Sequence, residues 1–352
     1  MKNKLVIGMI VLTAGILITL GLNWPSPQPQ PKTTLPGSLD AAIPVNASTQ
    51  LYDEKIVSNP ITVKETISYQ VQETLTINNY GPGIPSKQNI WIALVRDVNP
   101  YQKVDAISIN PTNYTLITDE YGNQYAEFSL DEMAAETSLT IEINYQVSIN
   151  RLEYDLSVCE GELPQSFVHP ELNVESNNVQ IMDLAEQLSF ETSSVCEQIR
   201  SFYDYIGDNL VYTYNGANWG AQAALGDMGA DCTEYSSLLM ALSRASGVPA
   251  RYYEGLYYRG AEPEEGVRME HSWVEIYFPG IGWVPIDPTF GRTDINRERY
   301  FAKMTPDHII VSAGRNPSTL RGNSYWSHLY WAGGGTSIKV EDYSWTITPL
   351  VN

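Results

Sequence analysis

One cysteine stands at the predicted start of a helix. Asp231 and Cys232 follow the turn residues Gly226 and Gly229, and apolar side chains then recur at helical spacing over residues 235–245. Unpaired N–H groups and the helix dipole at such a position stabilise a thiolate, and the same N–H groups can stabilise an oxyanion. Cys232 is therefore a candidate nucleophile, although a free cysteine can also serve as a small core hydrophobe.

Two predicted strands after that helix carry a histidine and an aspartate. Residues 270–278 and 283–287 are strand-like, and the turn at 279–282 joins them into an antiparallel hairpin. This register places His271 opposite or diagonal to Asp287, within cross-strand reach. A carboxylate beside a histidine fixes the tautomer and supports the imidazolium, so the other ring nitrogen can face a nucleophile. Taken singly, a satisfied sheet histidine and a strand-end aspartate are the structural alternatives.

Together these segments resemble the transglutaminase-like superfamily, whose core has a papain-like arrangement. The resemblance extends over roughly residues 178–292 and rests on four stretches in the same order as in the family. They are GADCTEY at 229–235, LSRASGVPAR at 242–251, HSWVE at 271–275 and GWVPIDPT at 282–289.

The resemblance implies a role for each polar residue of the motifs. Cys232 would be the nucleophile, His271 the general base and acid, and Asp287 the orienting carboxylate. The family also places an aromatic or polar group near the oxyanion, upstream of the cysteine. The candidates here, among which the sequence does not choose, are Tyr214, Trp219 and Gln222.

Two amphipathic helices are predicted before the cysteine. Apolar residues share one face over 181–188 and another over 195–206, and Ser194 with Glu197 fits a capping box at the second helix.

Before these helices, the alternating pattern of residues 43–151 predicts an all-β sandwich. It resembles, more weakly, the β domain that precedes this core in exported prokaryotic relatives.

The N-terminus predicts a membrane anchor. Lys2 and Lys4 precede an uncharged apolar run from Leu5 to Leu22, whose 18 residues would rise about 27 Å as a helix, close to the hydrocarbon thickness of a bilayer. The run ends near Trp24 without a small-x-small cleavage site, which favours an uncleaved signal anchor over a cleaved signal peptide. The positive flank then places the rest of the chain outside the cytoplasm.

The predicted fold class is α+β, with a papain-like transglutaminase core of N-terminal helices plus an antiparallel sheet. Residues 293–352 are expected to add strands that complete the catalytic sheet. The predicted order is a signal anchor or transmembrane helix at 1–24, a Pro-rich linker at 25–42, a β-sandwich domain at 43–151, a linker at 152–177 and the catalytic domain at 178–352.

The remaining cysteines make an even pair if Cys232 stays free. A disulfide between Cys159 and Cys196 would persist outside the cytoplasm, although both could equally be reduced and buried.

The other histidines lack metal-ligand spacing and are interpreted as surface or satisfied core residues: His169, His308 and His328. No metal or other cofactor is predicted, and a calcium requirement is left undecided.

Charge limits the partners. The chain has 41 acidic and 21 basic residues, a formal net charge of -20, which repels phosphate backbones and argues against nucleic-acid binding.

The predicted function is extracytoplasmic acyl transfer on peptide or carboxamide bonds through a cysteine thioester, with protein or peptide substrates at the cell surface. Hydrolysis is favoured over cross-linking because water is always available. The alternative is a non-catalytic binding or assembly module of the cell surface with the same fold.

Overall fold

The computed structural model describes residues 59–214, 219–226, 229–260, 269–329 and 336–350. The predicted anchor at 1–24, the linker at 25–42 and the start of the predicted β-sandwich domain lie outside the described residues. Within the described ranges, no helix is both long and apolar enough to cross a membrane.

The described chain alternates between strand-rich and helical stretches. It begins with the strands β1 Ile61–Asn79, β2 Asn89–Ala93, β3 Gln102–Asn110, β4 Thr115–Thr118, β5 Gln124–Ser129 and β6 Thr137–Tyr154. The helices α1 Val179–Ser189, α2 Val195–Asn209, α3 Ala221–Ala224 and α4 Cys232–Ala245 follow. The rest comprises β7 Ala250–Tyr257, β8 Glu270–Phe278, β9 Gly282–Ile286, α5 Asp294–Arg297, β10 Lys303–Met304, β11 His308–Ala313, β12 Trp326–Leu329 and β13 Ile338–Pro349.

The first strands build two antiparallel sheets that share one hydrophobic core. β1 pairs with β6 along nearly its whole length, and the second sheet has the order β12-β2-β5-β4. In β1 the side chains of Val71, Leu75 and Ile77 are buried between more exposed neighbours, the period of two expected for a sheet with one face in the core. The strands expected from the alternating pattern of residues 43–151 are therefore present in the described part of that range.

The central sheet, defined here as β11-β7-β8-β9, carries the predicted hairpin. One face packs against α4 in the core that contains Leu239 and Val274. The other face contributes Trp273 and Ile309 to the core of the first two sheets. Because both faces are covered, the side chains at the end of this sheet are held by packing on two sides.

The C-terminal strands correct one expectation. β11 does join the central sheet, but β10 pairs with β6, β12 pairs with β2 and β13 pairs with β1 over Tyr69–Asn79. The prediction that residues 293–352 complete the catalytic sheet is thus wrong for β10, β12 and β13. The physical reason is that β13 buries Trp345 and Ile347 in the core of the first sheets, a non-local pairing that alternation alone does not specify.

Two local features concern the predicted helices and cysteines. One half of the predicted capping box is formed, because the Ser194 hydroxyl accepts a hydrogen bond from Glu197 N at 3.2 Å. The other half is shifted by one residue, because the Glu197 carboxylate accepts a hydrogen bond from Ser193 N.

The structure pairs Cys159 with Cys196 in a disulfide and leaves Cys232 as a free cysteine. The disulfide joins the segment that follows β6 to the first turn of α2.

Candidate active site

Cys232 is the first residue of α4, and the helix start is fixed by a capping box. The Asp231 carboxylate accepts a hydrogen bond from Thr233 N at 3.0 Å, and the Glu234 carboxylate accepts one from Asp231 N at 3.0 Å. These reciprocal bonds satisfy N–H groups that a helix end leaves unpaired. Because the rest of α4 is buried, the position of the Cys232 sulfur is set by the core.

The Cys232 thiol is not a resting thiolate. Burial and, to a smaller extent, the negative charge of Asp231 together raise its pKa to about 12, against the opposing hydrogen bonds from Ser272. The expected stabilisation of a thiolate by the helix N-terminus is therefore outweighed by desolvation. At neutral pH the sulfur carries its proton, so a nucleophilic attack by this sulfur would need a base.

The hairpin positions a candidate for such a base. The ring nitrogen Nε2 of His271 in β8 lies 2.7 Å from Oδ2 of Asp287, the residue after β9, and both side chains are buried. The structure thus brings together the two residues that the register predicted. The His271 ring also stacks on Phe290 with centroids 4.1 Å apart. Since Nε2 is engaged, Nδ1 is the nitrogen left for the sulfur.

Asp287 is held as a carboxylate despite its burial. Its Oδ1 accepts hydrogen bonds from Thr289 N and Phe290 N, each at 2.9 Å. Burial would raise its pKa, but the charges and hydrogen bonds of His271 and His308 outweigh that effect and hold the pKa well below its usual range. An ionised Asp287 can stabilise an imidazolium at His271.

His308 is a member of the site that the sequence did not identify. It was interpreted as a surface or satisfied core residue, and it is indeed buried, but its Nε2 lies 3.3 Å from Oδ2 of Asp287. On its other side Nδ1 lies 2.8 Å from Asp307 Oδ1. Burial lowers its pKa, yet hydrogen bonds to Asp287 and Asp307 raise it overall to about 9. His308 is therefore a buried cation at neutral pH.

The same three side chains have the atoms that metal ions bind. Ligand atoms of His271, Asp287 and His308 lie within 4.8 Å of one another. Oδ2 of Asp287, however, already accepts hydrogen bonds from both imidazole rings. The donor set therefore fits a proton-transfer network better than a metal centre.

Two cavities meet at Cys232 and His271. The acidic cavity, of about 400 Å³, is also lined by Asp231 and Glu254, and the arginine cavity, of about 660 Å³, by Arg259 and Arg292. A chain of substrate atoms can therefore extend to either side of the sulfur.

The structure distinguishes among the oxyanion candidates. Tyr214 lines both cavities. Trp219 and Gln222 line neither cavity; their backbone N–H groups donate to Glu234 and Glu175 instead. Of the three candidates, Tyr214 is thus the one that lines the same cavities as Cys232.

Comparison with known proteins agrees with this geometry. Residues 182–288 match the family model of the transglutaminase-like superfamily. This region contains Cys232, His271 and Asp287, so the family resemblance seen in the motifs is confirmed for it.

Curated relatives match over part of their length. YebA of Bacillus subtilis is 30% identical over 167 residues, which are 42% of this chain and 21% of YebA. A protein of Haemophilus influenzae is 34% identical over 73 residues, 16% of this chain and 20% of that protein. The chain thus spans about a fifth of the length of these relatives.

A solved structure shares the fold. A candidate cysteine protease of Cytophaga hutchinsonii has a TM-score of 0.59 at 16% identity, covering 83% of this chain and 93% of that one. The periplasmic domain of TgpA from Pseudomonas aeruginosa gives a TM-score of 0.33 at 17% identity, covering 66% of this chain and 90% of that one. Only the first likeness is high enough to support the papain-like fold with helices and antiparallel sheets.

His308 provides a test of the network. Replacing His308 by Gln removes a cation whose ring centroid lies 5.7 Å from that of His271, so an imidazolium at His271 is repelled less. We expect the pH profile of Cys232 alkylation to move towards higher pH by about one to two units. The measurement is the rate of Cys232 alkylation by iodoacetamide as a function of pH.

His328→Gln in β12 is the matched control and should leave this pH profile unchanged. If His308→Gln lowers the melting temperature and leaves the profile where it was, His308 is a structural residue without influence on His271.

Proposed function

We propose that this transglutaminase-like domain is a cysteine acyl-transfer enzyme that acts on peptide or carboxamide bonds. The supporting observation is the buried pair of His271 Nε2 and Asp287 Oδ2 at 2.7 Å, with Cys232 and His271 lining the same cavities. A nucleophile, a base and a group that orients the base are the parts that this chemistry needs.

The proposed reaction begins from the neutral thiol. Nδ1 of His271 takes the proton of Cys232 as the sulfur attacks the carbonyl carbon, and Asp287 stabilises the imidazolium that forms. The C–N bond then breaks, and the departing amine or ammonia takes the proton from His271. The product on the enzyme is a thioester at Cys232.

The second half of the reaction reverses these roles. His271 removes a proton from water or from an amine, which attacks the thioester carbon, and the proton then returns to the Cys232 sulfur. Water gives a carboxylic acid, and an amine gives a new amide. Hydrolysis is the favoured outcome because water needs no binding site of its own. The steps require no metal or other cofactor.

Stabilisation of the oxyanion is assigned to the start of α4. Backbone N–H groups at a helix N-terminus carry partial positive charge, and the attacked carbonyl would lie beside Cys232, at that terminus. Tyr214, which lines both cavities, is proposed as the side-chain contribution. The raised thiol pKa makes this arrangement useful, because negative charge is stabilised when the reaction creates it rather than beforehand.

We also propose that the enzyme works outside the cytoplasm, tethered by residues 1–24, on protein or peptide substrates at the cell surface. The uncharged run from Leu5 to Leu22 after Lys2 and Lys4 supports the tether. The disulfide between Cys159 and Cys196 supports the compartment, because disulfides persist in oxidising surroundings.

The location is tested with protease added to intact cells that express the chain with a C-terminal tag. In protease-treated cells we expect the tag to be lost without lysis. In untreated cells we expect the tagged chain in the membrane fraction. A tag that is degraded only after lysis would place the domain on the cytoplasmic side and overturn this part of the proposal.

The reaction itself is tested by comparing the wild-type protein with Cys232→Ala. Incubation with a mixture of unmodified proteins, followed by mass spectrometry, should reveal cleaved peptides or glutamine-to-glutamate changes with the wild type and none with the variant. Added cadaverine should appear in amide linkage if amines resolve the thioester. Identical product spectra from the two proteins would indicate a non-catalytic binding or assembly module.

A further inference from the structure

The arginine cavity contains two positive side chains next to the reacting cysteine. Arg259 and Arg292 line it together with Cys232 and His271. Aromatic rings hold both guanidinium groups. Cζ of Arg292 lies 4.7 Å from the ring centroid of Tyr212, and Cζ of Arg259 lies 5.6 Å from the ring centroid of Tyr257.

Arg292 is also anchored to the loop that positions the triad. Its Nη1 donates a hydrogen bond to the carbonyl of Thr289 at 2.6 Å, and Thr289 N in turn donates to Asp287. The guanidinium is thus fixed by a ring on one side and a backbone oxygen on the other. A side chain that is already immobilised loses little entropy when it binds an anion.

Within the part of the chain that the structure describes, neither Arg259 nor Arg292 has a carboxylate at ion-pair distance. Other arginines do: Arg244 pairs with Glu171, and Arg251 with Glu275. Arg292 uses Nη1 for the Thr289 carbonyl, and among the described residues the other guanidinium donors of Arg259 and Arg292 have no carboxylate at ion-pair distance. Those donors face the arginine cavity that both side chains line.

The charges around the sulfur are divided between its two sides. The acidic cavity has three carboxylates in its wall, those of Asp231, Glu254 and Glu270, and one guanidinium, that of Arg315, so its carboxylates outnumber its guanidinium and disfavour an anion. Glu270 lines both cavities and offsets part of the arginine charge, yet two guanidinium groups face one carboxylate in the arginine cavity. An anion bound at Cys232 is therefore directed to the arginine side.

The ionisation of Tyr212 is consistent with this division. Burial raises the pKa of its hydroxyl, Cys232 and Asp231 raise it further, and Arg292 and Arg259 oppose the rise. One hydroxyl thus lies within electrostatic reach of both the sulfur and the two guanidinium groups.

We propose that the arginine cavity is a subsite for a carboxylate on the substrate, either an acidic side chain or the terminal carboxylate of a peptide. The proposal rests on the proposed function, since it assigns a substrate class to the same cysteine. Planar guanidinium groups match carboxylates by paired, charge-assisted hydrogen bonds. The substrate would be an acidic peptide or an amide that lies next to a carboxylate.

Three reagents of nearly equal shape test this proposal on the full chain. N-iodoacetyl-glutamate α-amide carries a side-chain carboxylate, N-iodoacetyl-glutamine carries a terminal carboxylate, and N-iodoacetyl-glutamine α-amide is neutral. The second-order rate of Cys232 alkylation is measured for each by intact mass spectrometry. We expect one carboxylate reagent to react at least about tenfold faster than the neutral one. The faster reagent identifies which kind of carboxylate the subsite accepts.

The preference should disappear in Arg259→Gln and in Arg292→Gln, and a conservative Arg292→Lys should retain part of it. The control is Arg321→Gln, because Arg321 also lies 4.7 Å from a ring centroid, that of Trp91, outside the arginine cavity. High salt should weaken the preference without changing the rate of the neutral reagent.

Equal rates for all three reagents on the wild type would overturn the subsite. So would a preference that Arg259→Gln and Arg292→Gln leave intact. The proposed function fails differently: the neutral reagent would then react with Cys232 at the same rate in wild type and in His271→Ala. A carboxylate preference seen together with that result would support the subsite and contradict the enzyme.

Discussion

The site depends on one buried negative charge, the carboxylate of Asp287. An unpaired charge in a protein interior is costly, so it persists only where partners surround it. Here the imidazoles of His271 and His308 and two backbone N–H groups converge on its two oxygens. These partners come from β8, from β11 and from the turn after β9, so the central sheet must be assembled before the carboxylate can be satisfied.

This arrangement determines how proton transfer can occur. Asp287 stays ionised and His308 stays protonated at neutral pH, so neither changes its charge in the proposed reaction. In the proposed reaction the proton moves between the Cys232 sulfur and His271. The raised pKa of the half-buried Cys232 thiol means that this reaction starts from the neutral thiol and needs a base.

Sequence reasoning succeeded where the structure is local. The cysteine at a helix start follows from glycine turns before it and apolar periodicity after it, and the approach of His271 to Asp287 follows from the register of one hairpin. His308 could not be found in this way because β11 reaches the site by pairing with β7, some fifty residues earlier in the chain. The same holds for β13, whose partner β1 lies at the other end of the described chain.

The thiol pKa shows a second limit of the sequence. A helix N-terminus suggests that the pKa of the Cys232 thiol is lowered. Desolvation raises that pKa instead, and its extent depends on how deeply the sulfur is packed. That packing is set by residues far from Cys232 in the sequence. The division of charge between the two cavities is equally non-local. Arg259 precedes the β8–β9 hairpin and Arg292 follows it, so the two side chains meet only after the central sheet has formed.

The most direct test of the account is the pH dependence of Cys232 alkylation by iodoacetamide in the wild type and in His271→Ala. The account predicts a wild-type rate that rises with pH and levels off well below the thiol pKa of about 12, because His271 accepts the proton of the sulfur. In His271→Ala that plateau should vanish, leaving a rate that increases steadily into the alkaline range. Superimposable profiles for the two proteins would show that His271 does not act on the sulfur and would contradict the proposed catalytic role.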